Sequence, residues 1–416
     1  MKKVDGSGVG AHCFAGGITA GFAQVFDVAG QLEVHELGCD SVRHNLGIPV
    51  IKDEAAGWIT KPPMWAKQAQ VIFGNPRCTA FSCLNRGCGK DGFGPEGKAT
   101  ADVRQMVDLI ENVRPTVFVW ESVQPAITTG LPLALDIEER LAKLRYHPTR
   151  MLLNAATWGN SQNRRRFFHV FTKPGVTFWP DVPDIPERWF TVREAIEDLA
   201  EHPVTSKHQW CYDSLEDAEH DEVLNHHWWD DPCFTELVCS IIPPGRSMND
   251  VPFSDIERIQ AEGFDGYMDG YLRGAGSFSR HAARRLHADG ASRVVYGGWY
   301  MTVHPWLDRG VTVRETARIM GFPDDWVFLG PASGYCQIGK GVVPAVAEWL
   351  AWQIRKALDN PMTEKRHREM RFNVRTREVE EHRVADGEVR TFDFTRMCAK
   401  VPRPKLAPRN SVFDGN

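Results

Sequence analysis

Val71-Ile72-Phe73-Gly74-Asn75-Pro76-Arg77-Cys78-Thr79-Ala80-Phe81-Ser82, VIFGNPRCTAFS, runs from an apolar triplet through a Pro-containing turn to a cysteine beside an arginine. The triplet has the length and composition of a buried strand, and the turn ends it. Helical spacing follows over Asp102–Val113, and then a second apolar run, Thr116–Trp120. Working outward, apolar runs at Gly10–Phe14, Leu32–Glu36 and Phe167–Phe171 make the first 175 residues an alternation of strands and helices. That order predicts an α/β fold, a doubly wound, Rossmann-like sheet whose ligands sit at the carboxyl ends of its strands. Cys78 lies at one such end.

The rest of the chain is organised differently. Between about 185 and 295 the pattern is irregular and rich in His, Trp, Gly and Asp, which reads as a smaller inserted module. Helical periodicity returns at Val311–Met320 and Val343–Leu358, within a stretch 296–360 that leads back to the first domain, assigned to 1–184. From 361 to 416 the chain is strongly charged, and the alternation from Phe372 to Phe394 around Ala385-Asp386-Gly387-Glu388 predicts a hairpin.

Composition limits the function. A chain of 416 residues, 42% hydrophobic and 25% charged, is long enough for one large domain and a second module. Its net charge of -5 argues against a general polyanion coat, so a nucleic acid would need a local basic surface. There is no signal-peptide pattern and no apolar run near the roughly 18 residues that span a bilayer, so the expected location is the cytoplasm. Its 10 cysteines form no disulfide framework. Cys78, Cys83 and Cys88 are evenly spaced without the pairing of a zinc set, so no metal is expected.

Candidate chemistry gathers at the strand ends. Phe14-Ala15-Gly16-Gly17 is a glycine turn that admits a ligand to the backbone, a weak signal by itself. Glu36 stands where a carboxylate commonly takes ribose hydroxyls, and a solvated acid is its other reading. Glu121, in Val117-Phe118-Val119-Trp120-Glu121-Ser122-Val123, points into the same crevice as Cys78. Arg164 and Arg166, alternate residues of Ser161-Gln162-Asn163-Arg164-Arg165-Arg166, are placed to hold an anion or a base edge there. In the insert, Arg273, Arg280, Arg284, Arg285 and Arg293 supply positive charge suited to phosphates and guanine edges, or else form a solvated basic face.

Taken in order, these motifs resemble the DNA cytosine-5 methyltransferases of bacteria and phages. GNPRCTAFS resembles their GGPPCQxFS loop, Glu121-Ser122-Val123 their ENV, and Gln162-Asn163-Arg164-Arg165-Arg166 their QxRxR. Thr312-Val313-Arg314-Glu315-Thr316-Ala317-Arg318, Gly321-Phe322-Pro323-Asp324 and Tyr335-Cys336-Gln337-Ile338-Gly339-Lys340 resemble their closing motifs. The literal Glu111-Asn112-Val113 falls on the preceding helix and is a decoy.

The resemblance implies that Cys78 adds to C6 of a cytosine flipped out of duplex DNA, making C5 nucleophilic. It implies that Glu121 holds N3 and the exocyclic amine while Arg164 and Arg166 support O2 and the flanking phosphate. Phe14, Gly16, Gly17, Glu36, Asp53, Pro76, Arg77, Gly339, Lys340 and Gly341 would line the cofactor site, with 185–295 as the target-recognition domain and Gly87–Gly94 as a lid. Arg77 is a cation that favours the thiolate if its side chain turns inward. The expected partner of a monomer in a bacterial or phage-infected cell is double-stranded DNA, with no membrane.

Departures from the pattern are informative. The glycine turn is short, and Arg77 replaces a proline, Thr79 a glutamine, Ser122 an asparagine and Lys340 the asparagine of QxGN. Two unit charges about 5 Å apart repel by roughly 3 kcal/mol at an effective dielectric near 20, so a lysine there disfavours the sulfonium of S-adenosylmethionine. A donor carrying a carboxylate, carboxy-S-adenosylmethionine, would meet opposite charge at Lys340 and Arg77, and its product would be 5-carboxymethylcytosine. The alternatives are ordinary S-adenosylmethionine with Lys340 turned to solvent, an inactive DNA-binding relative, or the same Cys78 chemistry on RNA or a nucleotide.

Overall fold

The computed structural model describes residues 6–81, 94, 100–181, 183, 186–199, 237, 239–259, 261, 284–297, 302–329, 334–360, 368–373, 378–383 and 390–393. The chain divides into two compact units. The first comprises Met1–Gly159, Arg164–Glu187 and Lys340–Ala399; the second comprises Asn160–Asn163, Arg188–Gly339 and Lys400–Asn416.

The first unit is built on β1 (Ser7–Ala11), β2 (Asp27–Glu33), β3 (Val50–Lys52), β4 (Val71–Gly74), β5 (Val117–Val123), β6 (His147–Asn154) and β7 (Arg165–Thr172). The second contains the short pair β8 (Arg284–Arg285) and β9 (Thr302–Val303). After the last long helix, Pro344–Asp359, come β10 (Arg368–Asn373), β11 (Glu378–Arg383) and β12 (Arg390–Asp393). The main sheet has the order β12-β6-β7-β5-β4-β1-β2-β3. Neighbours are parallel except for β7, which runs antiparallel to both β5 and β6.

Both faces of the sheet are covered, which is why its strands are continuous apolar runs rather than alternating ones. On one face, Met106 and Ile110 of the Ala101–Val113 helix and Ile137 and Leu141 of the Leu131–Ala142 helix share a buried cluster with Ile72, Phe118 and Phe171. The other face carries the Gly17–Ala23 helix, whose Phe22 stacks on Phe73 at 4.0 Å. A Cβ on Gly21 would stand 2.4 Å from the Pro344 carbonyl oxygen, so only glycine lets these two helices approach so closely. The doubly wound expectation therefore holds, with one reversed strand.

Local readings shift at strand ends. β1 stops at Ala11, short of Phe14, because His12 and Phe14 have positive φ (57° and 50°) and leave the extended conformation. β2 stops at Glu33, so Glu36 lies three residues beyond it. In the C-terminal region β10 and β11 pair antiparallel, and the turn expected at Ala385–Glu388 lies outside the described residues. β12 instead joins β6 in parallel at the edge of the main sheet. No helix among the described residues is long and apolar enough to cross a membrane.

Candidate active site

The strand order puts the carboxyl ends of β4 and β5 side by side, with β7 beginning beside the end of β5. β4 ends at Gly74, where only glycine fits, since a Cβ there would lie 1.9 Å from the Ala11 carbonyl oxygen. The chain then leaves the sheet as Asn75-Pro76-Arg77-Cys78. Asn75 donates to the Lys340 carbonyl at 3.0 Å, and Pro76 is buried. Cys78 is half-buried, and its carbonyl accepts from the Phe81 amide.

Four candidate residues meet here. In the β5–β7 register Glu121 opposes Phe168 and Val123 opposes Arg166, so Arg166 approaches Glu121 diagonally. Glu121 is 5% exposed, and its Oε1 lies 3.1 Å from Arg166 Nε. The N–H does not point along that line, and Oε1 has no hydrogen bond among the described residues. Arg164, two residues earlier, is buried and donates to the Gly341 carbonyl at 2.7 Å.

The four groups share one field. Burial pushes the Cys78 thiol above its ordinary range; the Arg166 and Arg164 charges pull it down, and Glu121 pushes it up. Burial also raises the Glu121 carboxyl, against the same two arginines. Arg164 is lowered by burial and by Arg166. A nucleophile with two cations and a carboxyl that readily keeps a proton is the equipment for adding to an electron-poor ring while hydrogen-bonding one of its nitrogens. The orphaned, buried Glu121 Oε1 is where such a ring nitrogen fits.

Arg77 requires a correction. Its guanidinium is not among the charges that act on the Cys78 thiol: it grips Asp102 with both arms, at 2.6 and 2.8 Å. Asp102 was missed in the sequence, although an acid sharing the buried face of a helix with Val103, Met106 and Ile110 is a readable signal.

The cofactor candidates lie at the ends of β1, β2 and β3. The amide of Phe14 donates to buried Glu33 at 2.9 Å, and the Phe14 carbonyl accepts from Gln31, which also takes the Thr19 hydroxyl. Gly16, at φ 82°, caps the Gly17–Ala23 helix. Glu36 is exposed and 3.1 Å from Lys52, and exposed Asp53 follows β3. Two exposed acids beyond adjacent strands, beside a rigid glycine turn, fit an adenosyl group's hydroxyls and amine. Lys340 is exposed, and its ammonium lies 5.7 Å from the Phe14 ring centroid, over the ring. Gly341 serves Arg164 through its carbonyl, and Gly339 is required by packing, since a Cβ there would stand 2.2 Å from Tyr296.

The chain has known relatives. A family model described as C-5 cytosine-specific DNA methylase matches residues 12–356. The chain belongs to the C-5 cytosine-specific DNA methylase family. It is 28% identical to type II methyltransferase M.MthTI of Methanothermobacter thermautotrophicus over 361 residues, 83% of this chain and 96% of that one. It is 26% identical to type II methyltransferase M1.HphI of Haemophilus parahaemolyticus over 82% of this chain and 85% of the relative. In fold it is similar to a protein of an E. coli prophage described as a DNA modification methyltransferase (TM-score 0.55, 18% identity, 85% and 99% coverage). Like other members of this DNA methylase family, the chain is an α/β transferase, with S-adenosylmethionine as the donor that membership implies.

In the second unit this methylase departs from the basic-patch expectation. Arg285 is 5% exposed and spends its side chain inward, on the carbonyls of Cys239, Ile242, His304 and Leu307 and on Asp308. It is a structural anchor. Arg284 is only partly buried, and Arg293 is half-buried over the Tyr296 ring. Arg273, Arg280 and nearly all of the Gly87–Gly94 stretch lie outside the described residues. The Thr312–Arg318 motif has a local explanation: Thr312 and Glu315 form a reciprocal cap on the Val313–Met320 helix, and Glu315 also binds Arg309.

Proposed function

We propose that the chain transfers a carbon group to C5 of cytosine in duplex DNA, with Cys78 as the nucleophile. The observation that carries this reading is the shared field of Cys78, Glu121, Arg164 and Arg166 at the ends of β4 and β5. Cytosine C5 is too weak a nucleophile to attack a sulfonium carbon unaided. Cys78 adds as thiolate to C6 of the flipped base, and the ring electrons move toward C5 and N3. Glu121 hydrogen-bonds N3 and the exocyclic amine, stabilising the charge that reaches the ring. Arg166 and Arg164 offset the thiolate and hold O2 or the flanking phosphate. Phe14, Gly16, Glu36 and Asp53 would hold the adenosyl donor, which supplies an electrophilic carbon. After transfer, loss of the C5 proton lets Cys78 leave and the ring become aromatic again.

Ordinary S-adenosylmethionine is the donor favoured by the family, giving 5-methylcytosine. One observation favours a second reading. Lys340, over Phe14, has no acidic partner among the described residues and would pair with a carboxylate on the transferable carbon, as in carboxy-S-adenosylmethionine. Residues 185–295 would be the target-recognition domain, with Arg284 a phosphate contact.

Mass analysis of nucleosides from unmodified genomic duplex DNA, incubated with the protein and each donor, tests both readings. Modified cytosine from the wild type and none from Cys78→Ser is the expected result. Turnover by Cys78→Ser overturns the C6-addition mechanism, and exclusive 5-methylcytosine with both donors present overturns the carboxymethyl reading.

A further inference from the structure

The turn that carries Cys78 is closed locally by one backbone hydrogen bond, from the Phe81 amide to the Cys78 carbonyl at 3.0 Å. Residues 75–78 lie outside any helix or strand, and two long-range side-chain contacts hold the turn. One is Asn75, on the Lys340 carbonyl at 3.0 Å. The other is Arg77, whose Nε and Nη2 reach the two oxygens of Asp102 at 2.6 and 2.8 Å. A bidentate pair fixes both the distance and the orientation of the guanidinium plane. Asp102 is itself rigid: it sits in the first turn of the Ala101–Val113 helix, and its side chain is 3% exposed.

We infer that Asp102 is a positioning residue for the transfer reaction, holding the Cys78 turn through Arg77. The inference rests on Cys78 being the nucleophile. Where the family has a proline, whose ring limits the backbone directly, this chain has an arginine that needs a fixed partner to give comparable restraint. The same pair keeps the guanidinium off the thiol, whose charge neighbours are Arg166, Glu121 and Arg164. Asp102 also faces His35, 3.5 Å away, and lies near His12. Burial alone would raise its carboxyl, but hydrogen bonds from His35 and Arg77 hold it well below the usual range, so it stays charged throughout the working pH.

The test is steady-state transfer from tritiated S-adenosylmethionine to unmodified genomic duplex DNA by wild type, Asp102→Asn, Arg77→Pro and the double variant. Asp102→Asn is expected to lower kcat by about 10-fold to 100-fold, since a misplaced reacting group costs rate. KM for donor and DNA should stay within about threefold, because the buried Asp102 carboxylate is engaged by Arg77 and His35 inside the fold. The double variant should match Arg77→Pro alone, because the carboxylate then has no guanidinium to hold. A wild-type kcat for Asp102→Asn overturns the inference, as does a double variant at least 10-fold below Arg77→Pro. Should Asp102→Asn fail to fold, a folded, active double variant supports the inference and an unfolded one overturns it. Cys78→Ser in the same assay separates the two levels: its turnover sinks the nucleophile assignment, whereas a silent Asp102→Asn with an inactive Cys78→Ser sinks only the positioning role.

Discussion

Arg284 and Arg285 are adjacent in sequence and opposite in consequence, and alanine at each separates stability from DNA affinity. On β8 consecutive side chains leave opposite faces, and Arg285 is the one that turns inward. Its Nε donates to Ile242 at 2.7 Å, Nη1 to His304 and Leu307 at 3.0 Å each, and Nη2 to Cys239 and Asp308. The Asp308 side chain is 42% exposed, so that ion pair contributes under about 1 kcal/mol. The four carbonyls dominate: each loses a charged donor, at about 1–3 kcal/mol where water cannot enter. Partial rehydration of the vacated space brings the expected loss to about 3–5 kcal/mol. Urea unfolding followed by tryptophan fluorescence should show a large drop in midpoint for Arg285→Ala. Arg284→Ala should leave that midpoint almost unchanged and lower DNA affinity, with the slope of log K against log salt smaller by about 0.9. The reasoning is refuted if Arg285→Ala unfolds like wild type and its effect falls on the salt slope instead.

Three further outcomes are expected. Glu121→Gln keeps the shape but loses the ionisable group, so transfer should fall by roughly 100-fold or more; an unchanged rate would make Glu121 a structural acid. His12, buried against Trp58 at 5.3 Å, is lowered by burial to about 4, so the folded state needs it neutral. That stability is present above the unfolded value near 6.5 and is lost as pH falls from there toward about 4, up to roughly 3 kcal/mol. His12→Asn, which tolerates the positive φ, should flatten that decline, and urea midpoints between pH 7 and 4 measure it. Lys340→Asn should raise methyl transfer from S-adenosylmethionine and lower any carboxymethyl transfer in a two-donor competition read by mass; an unaltered product ratio would make Lys340 a solvent-facing side chain.

The sequence announces what burial controls. β4, the Ala101–Val113 helix and β5 were readable because strands covered on both faces are uninterrupted apolar runs and the helix between them has one buried stripe. What escaped depends on backbone sign or on distant partners. His12 and Phe14 continue an apolar run but turn out of β1 through positive φ. β3 has only three residues, one of them Lys52, and β6 opens with His147, Pro148 and Thr149 before its apolar half. The inward turn of Arg285 was implicit in the period of two, yet composition alone made it one more basic residue.

Charge explains why the two cationic departures in the motifs differ in meaning. Arg166 and Arg164 already supply the positive charge that draws the Cys78 thiol toward its thiolate, so the set needs no help from Arg77. A third unpaired cation beside Cys78 would stabilise the thiolate further and weaken it as a nucleophile. Asp102 prevents this by neutralising Arg77 locally, which leaves the substitution a matter of geometry rather than electrostatics. Lys340 has no such acid among the described residues, and its ammonium stays over Phe14. Its charge therefore acts on whatever occupies the space above that ring. Arg77 should accordingly affect how fast Cys78 attacks, and Lys340 which donor is accepted, so exchanging Lys340 should alter product identity while exchanging Asp102 alters only rate.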